Sequence, residues 1–233
     1  MDYLYPLANA HRIYCAGPLF NAAERREMEA LAAVLREGGF ETFVPHADGL
    51  EFAQLRPWLI EQGYCPQDVG RLLHEAIFAL DVYQVLVGCG ALVLNLNGRV
   101  PDEGAVAEAA MAWAWGKPVV IYKDDCRSKI HGRDNPLVVG MTGFEVVEDA
   151  SLLVPRLKAA LSEREGTLPM PCPGSLSGPL RRGEQLWRGL AALGRGRPNP
   201  LVAEAVIRVF GPPAKGGVKA GTQEPLAVRR GAG

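Results

Sequence analysis

The sequence predicts an α/β fold with a mostly parallel, doubly wound sheet, and three observations carry that expectation. Residues 91–96 are an apolar run of strand length, polar only at Asn95, as a sheet covered on both faces requires. The run is broken by Asn97-Gly98 and Pro101, and an Ala-rich stretch of good helix propensity follows from Gly104 to Trp115. Upstream, residues 12–44 read as one strand–helix–strand unit, so the elements run β-α-β-α-β-α-β.

The elements justify themselves in order. Residues 12–16 form a short first strand, stopped by the turn Gly17-Pro18. Asn21 and Glu24 have the spacing of a capping box. Met28, Leu31, Ala32 and Leu35 then recur at helical spacing up to Gly38-Gly39. Residues 40–44 read as the second strand, ended by Pro45, and residues 46–67 as an irregular excursion. Asp68 is the expected N-cap of a helix whose apolar stripe is Val69, Leu72, Leu73, Ala76, Ile77 and Leu80. After the central strand and its helix, Gly116-Lys117-Pro118 leads into a fourth strand over residues 118–122. A polar loop covers residues 124–142, a fifth strand is expected over residues 144–147, and an amphipathic helix over residues 152–161.

From residue 166 the composition changes: the last 68 residues hold 13 of the 27 glycines and 9 of the 18 prolines. We therefore expect one domain over residues 1–165 and a basic, low-order, partly helical C-terminal extension over residues 166–233. Two helical patterns survive there, residues 183–193 and 201–210, and residues 215–233 should be disordered. Residues 181–233 carry ten Lys/Arg and three Asp/Glu, so a formal net charge of −1 hides an acidic body and a basic tail. A solvated extension accounts for that charge more simply than a tail that binds nucleic acid or folds onto its own acidic body.

Composition excludes several classes. No apolar run is long enough to span a membrane, and no secretory leader pattern opens the chain. Five scattered cysteines without Cys-x-x-Cys fit a reducing cytoplasm and no zinc ribbon. No dinucleotide fingerprint or P-loop occurs, and no histidine has metal-ligand spacing, so neither cofactor nor metal is expected. His11 and His74 read as surface or capping residues, Trp113 and Trp115 as packing or interface residues, and Arg127 as a partner of its loop's carboxylates.

Ligands of open α/β sheets bind outside the carboxyl ends of the strands. The loop after residues 91–96 lies there, and it delivers Asp102 just before a helix and Glu108 about one turn into it. A helix N-terminus favours negative charge, so Glu108 should stay ionised, as a glycosyl-transferring nucleophile must. The same spacing also fits Asp102 as a plain cap and Glu108 as a solvated surface residue. Asp81 ends its helix, where a carboxylate opposes the dipole; burial or a functional partner explains it better than capping.

Taken together, Ile13-Tyr-Cys-Ala-Gly-Pro-Leu-Phe20, Asp81 and Leu96-Asn-Gly-x-x-x-Asp102-x-Gly104-x-x-x-Glu108 resemble the nucleoside 2-deoxyribosyltransferases. Gly116-Lys-Pro-Val, Tyr122-Lys-x-Asp-x-Arg127 and Asn135-Pro-Leu continue the resemblance, which covers residues 11–145. It implies a flavodoxin-like sheet and the transfer of a 2-deoxyribosyl group between nucleobases. By resemblance, Glu108 is the nucleophile at C1′, Tyr14 orients it, and Asp102 and Asp81 position and protonate the departing base. Gly17, Phe20, His46 and Asp48 would contact substrate. Asn135 would reach the sugar in a neighbouring subunit's site, which implies a homo-oligomer. The partners implied are a deoxynucleoside and a free nucleobase.

The pattern departs where the family commonly has Gly-Thr (here Gly104-Ala105), glycine two after the glutamate (here Ala110), and an acidic residue before the central strand (here Cys89-Gly90). These departures bear on substrate preference. A related hydrolysis, that of deoxynucleoside 5′-monophosphates, would need a hydroxyl-rich phosphate turn after the first strand, and Gly17-Pro-Leu-Phe-Asn21 has none. A third reading is a nucleoside-binding module without catalysis. Every matched motif lies upstream of residue 166, so the extension is expected to be dispensable for chemistry.

Overall fold

The computed structural model describes residue 9 and residues 11–98, 100–125, 134–163, 174–194 and 196–211. Four strands, β1 (Arg12–Ala16), β2 (Glu41–Phe43), β3 (Ala91–Asn95) and β4 (Val119–Tyr122), form one parallel sheet in the order 2-1-3-4. That is the flavodoxin-like order 2-1-3-4-5 without its last strand, and its switch point falls between β1 and β3. The expected fifth strand is reduced to one bridge, Tyr122 with Val147. Phe144 at φ 69° precedes it and Asp149 caps the next helical turn, which leaves no room for a longer ladder.

Alternation along β1 sorts the two faces. Ile13 and Cys15 join the core under α1 (Ala22–Glu37) and α7 (Leu153–Glu163). Tyr14 and Ala16 face the other way, into the core shared with α4 (Pro66–Tyr83) and α5 (Glu103–Ala114). Both cores are therefore read directly from the two-residue strand period.

Local signals set most helix ends. Asn21 and Glu24 close the expected capping box of α1. The excursion over residues 46–67 is mostly helical: α2 (Pro45–Asp48) and α3 (Phe52–Glu61). Pro45 and Pro66 occupy first-turn positions, where a missing N–H costs nothing. So α4 begins two residues before Asp68, with Cys65 as its cap position, and Asp68 sits in the first turn. A π-helical segment, Gln84–Gly88, carries α4 into β3. The short helix α6 (Pro136–Val139) is capped by Asn135, whose Oδ1 accepts from Leu137 N at 3.0 Å. Pro155 falls in the first turn of α7, as expected.

In the extension, α8 (Ser177–Ala191) and α9 (Asn199–Phe210) pack into the same core as Tyr14 and Phe43. Leu180, Leu186 and Leu190 are fully buried, each contributing about 1.5–3 kcal/mol of hydrophobic stabilisation. The two helical patterns expected at residues 183–193 and 201–210 thus appear as α8 and α9, and both are docked into the core. Residues 215–233, Cys126, Arg127, His131 and Cys172 lie outside the described residues. Among the described residues, no helix is long and apolar enough to cross a membrane.

Candidate active site

The helix α5 meets the sheet through small residues. Ala105, Ala109 and Ala112 are buried at helical spacing, and Glu108 falls within that stripe, so its side chain is carried inward. There Tyr14 Oη donates to Glu108 Oε1 at 2.7 Å. Tyr14 comes from the middle of β1 and is wholly buried. From the last turn of α4, Asp81 joins the same cluster, and its charge acts on both Tyr14 and Glu108. The structure thus brings together Tyr14, Asp81 and Glu108. Glu108 is no solvated surface residue. Asp102 does cap α5, its Oδ1 accepting from Ala105 N at 2.6 Å, and its charge also reaches Glu108.

Burial dominates the electrostatics. It pushes the carboxyls of both Asp81 and Glu108 well above the usual carboxylate range, and the charge of Asp81 raises Glu108 further. This corrects the expectation that the helix N-terminus alone keeps Glu108 ionised: desolvation outweighs the dipole. Such a pair holds one proton between its members near neutrality. The Tyr14 hydroxyl favours the anion on both carboxyls, against burial, so the retained proton belongs to the pair rather than to one member. Burial and the two carboxylates push the Tyr14 phenol up, so it stays a donor.

The other expected residues are placed less centrally. Gly17 is required by close approach: a Cβ there would lie 2.5 Å from Met28 Cε and 2.9 Å from Asn95 Cβ. Phe20 stands on the turn after β1 with 82% of its surface exposed. His46 faces Glu29 of α1, Nε2 to Oε1 3.6 Å, and burial lowers its pKa. Asp48 closes its own turn by accepting from Val44 N at 2.8 Å. Asn135 is exposed at the start of α6. Among the described residues no cluster of His, Cys, Asp and Glu could hold a metal ion.

Two features had no role in the sequence reading. Phe43 stacks on Tyr14, ring centroids 5.4 Å apart, and Trp187 of α8 meets Phe43 edge-on at 5.5 Å. Asn97, buried just past β3, donates to Glu27 and to Asp124 and accepts from Asp124 N, tying the ends of β3 and β4 together. Its place in the Leu96-Asn97-Gly98 motif was the only signal for it.

The solved structures similar to the chain include these two. A conserved protein from Enterococcus faecalis V583 is 23% identical over 64% of this chain and 98% of its own, with a TM-score of 0.47. A 2-desoxiribosyltransferase from Leishmania mexicana is 16% identical over 66% of this chain and 95% of its own, with a TM-score of 0.34. No curated protein matches the chain. Residues 13–165 match the family model described as nucleoside 2-deoxyribosyltransferase, a span that contains Tyr14, Asp81, Asp102 and Glu108. The chain belongs to the nucleoside 2-deoxyribosyltransferase family.

Proposed function

We propose that the protein transfers a 2-deoxyribosyl group between nucleobases through a covalent intermediate on Glu108. The observation that carries this reading is the part-buried Tyr14–Glu108 hydrogen bond beside Asp81. In the first displacement a Glu108 oxygen attacks C1′ as the C1′–N bond breaks. The electron pair goes to the base nitrogen, which takes a proton from Asp81 or Asp102, and the neutral base leaves. In the second, a nitrogen of the acceptor base attacks C1′ and the ester bond to Glu108 breaks. The carboxylate re-forms, and the acceptor's proton returns to the acid. Two displacements retain the anomer. Neither step calls for a metal or a cofactor.

The turn after β1 supports an unphosphorylated sugar over a 5′-monophosphate. Glu24 Oε2 accepts from Phe20 N at 2.8 Å and Asn21 N at 3.2 Å, and Asn21 Oδ1 takes Ala23 N and Glu24 N. The amides that could hold a phosphate at the start of α1 are thus engaged, two of them by an anion. Glu24 and Glu27 line the adjoining cavity of about 340 Å³ with Pro18, Asn97 and Val100, and would repel a phosphate. Phe20, exposed on the same turn, is available to a planar base.

An oligomer completes the reading. Asn135 lies beside exposed Leu137 (86%), with Phe144 (70% exposed) on the turn that follows. Such a surface suits contact with a second copy, into whose site Asn135 would project.

Incubation with deoxyinosine and free adenine, followed by chromatography, tests the reaction. A new deoxynucleoside is expected. Free base and deoxyribose alone, even with abundant adenine, would establish hydrolysis, and nucleoside binding without base release would establish a binding module.

A further inference from the structure

We infer that α8, which lies beyond the family match, is a positioning element of the active site: Trp187 holds Tyr14 through Phe43, and Gly183 seats α8 on the turn of α4 that carries Asp81. The inference rests on reading Tyr14, Asp81 and Glu108 as the reacting cluster.

Three contacts in series run from α8 to the nucleophile. The Trp187 ring meets Phe43 edge-on, at 5.5 Å and 76°; Phe43 stacks on Tyr14 at 5.4 Å and 26°; Tyr14 Oη donates to Glu108 at 2.7 Å. Trp187 is itself held from the sheet side. The Arg12 guanidinium lies over its ring at 5.3 Å and is anchored to Glu41 at 2.8 Å. A rotation of the Trp187 ring would therefore be passed to the Tyr14 ring, which has no free space to absorb it.

The second link is backbone to backbone. A Cβ on Gly183 would fall 2.0 Å from Ala79 O and 2.6 Å from Tyr83 Cβ. Only glycine lets α8 lie this close, and residues 79 and 83 flank Asp81 on both sides. Leu180, Leu186 and Leu190, fully buried, keep the helix docked. The upstream motifs supply the reacting groups, and the extension supplies the wall behind two of them. On this inference the extension is not dispensable for chemistry.

The test compares Trp187→Ala and Trp187→Phe in the full chain. The titration of Glu108 is followed by carbon NMR of ¹³C-carboxyl-labelled glutamate, and kcat and KM for base exchange are measured separately. In Trp187→Ala the Tyr14 ring loses its support and its hydrogen bond to Glu108 weakens, so the Glu108 midpoint should rise by about one pH unit. Loss of orientation should cut kcat about tenfold or more, with KM changed less than about threefold. Trp187→Phe keeps an aromatic edge on Phe43 and should restore both. Trp187→Leu, which keeps apolar cover without the ring edge, replaces the alanine variant if that does not fold. A variant that melts at a lower temperature but keeps the wild-type midpoint and kcat would overturn the inference. The NMR readout is independent of the reaction. If the wild type exchanges no bases, a midpoint that moves in Trp187→Ala and returns in Trp187→Phe still supports positioning, and only the functional reading fails.

Discussion

Lys123 and Glu108 are both ionisable side chains carried inward near the carboxyl edge of the sheet, Lys123 just past β4 and Glu108 from α5, and their surroundings differ in kind. Lys123, 2% exposed, meets Asp134 at 2.7 Å and Asp125 at 3.7 Å. Asp125 in turn accepts from Gly98 N at 2.8 Å, and Asn97 joins Asp124 to Glu27. Charge there is answered by opposite charge or by a donor. Around Glu108 stand a second acid, Asp81, and one hydroxyl, Tyr14; among the described residues no Lys or Arg forms an ion pair with either acid. A paired cluster costs little to keep and does little chemistry. An unpaired one holds a shared proton and a poised anion, and it destabilises the fold where both acids must ionise.

Glu108→Gln breaks the contrast most severely. It keeps the size and the acceptor for Tyr14 but removes the nucleophile, and turnover should fall by roughly 10⁴-fold or more while nucleoside still binds. Steady-state kinetics and equilibrium binding measure the two separately. The same variant reports on stability. In the folded protein the Glu108 carboxyl is raised to about 8, so between the ordinary carboxylate range and about pH 8 the folded state binds more protons than the unfolded one. Its stabilising contribution is therefore full below the ordinary range and lost as pH rises toward 8. By urea unfolding, Glu108→Gln should match the wild type near pH 4 and exceed it by about 1 kcal/mol or more near pH 8.5.

Lys123→Met attacks the other cluster. It leaves Asp134 and Asp125, both half-buried, without their cation and should cost about 1–3 kcal/mol of stability, read from denaturant unfolding. Turnover per folded molecule should be close to wild type, since Lys123 touches none of the reacting groups. A large loss of turnover with little loss of stability would dissolve the distinction between the clusters.

Tyr14→Phe is the smallest and most specific change. A hydrogen bond to a charged group contributes about 1.5–3 kcal/mol, so kcat should fall roughly 10–100-fold. Because that bond lowers the Glu108 carboxyl, its loss lets the carboxyl titrate higher, and the low-pH limb of the rate profile should move to higher pH. A profile that stays in place would show that Tyr14 does not set the ionisation of Glu108.

What the sequence could disclose depended on how local the physics was. The strand–loop–helix around residues 91–114 was legible, because strand length, breakers and Ala-rich propensity are all local. The Asn21–Glu24 box was legible for the same reason. Asp102 showed its capping role through position alone. The inward direction of Glu108 was also present, as the i+3 partner of Ala105 in the buried stripe, but it reads as a surface glutamate unless that stripe is traced first. The dipole argument for an ionised Glu108 is local, and the burial that overrides it comes from the sheet and α4. Prolines hid α2, α3 and the start of α4: Pro45 and Pro66 read as breakers from sequence but act as the first residues of α2 and α4. Pro57 lies inside α3, which Leu55 and Leu59 hold in the core. Nothing local announces that Trp187 meets Phe43.

Trapping the intermediate tests the central claim most directly. A 2-fluoro-2-deoxyribosyl nucleoside, whose glycosyl–enzyme ester turns over slowly, should release its base and add one sugar to the protein. Peptide mass spectrometry should place that sugar on Glu108. A label on Asp81 or Asp102, or base release with no labelled peptide at any time, would contradict the account.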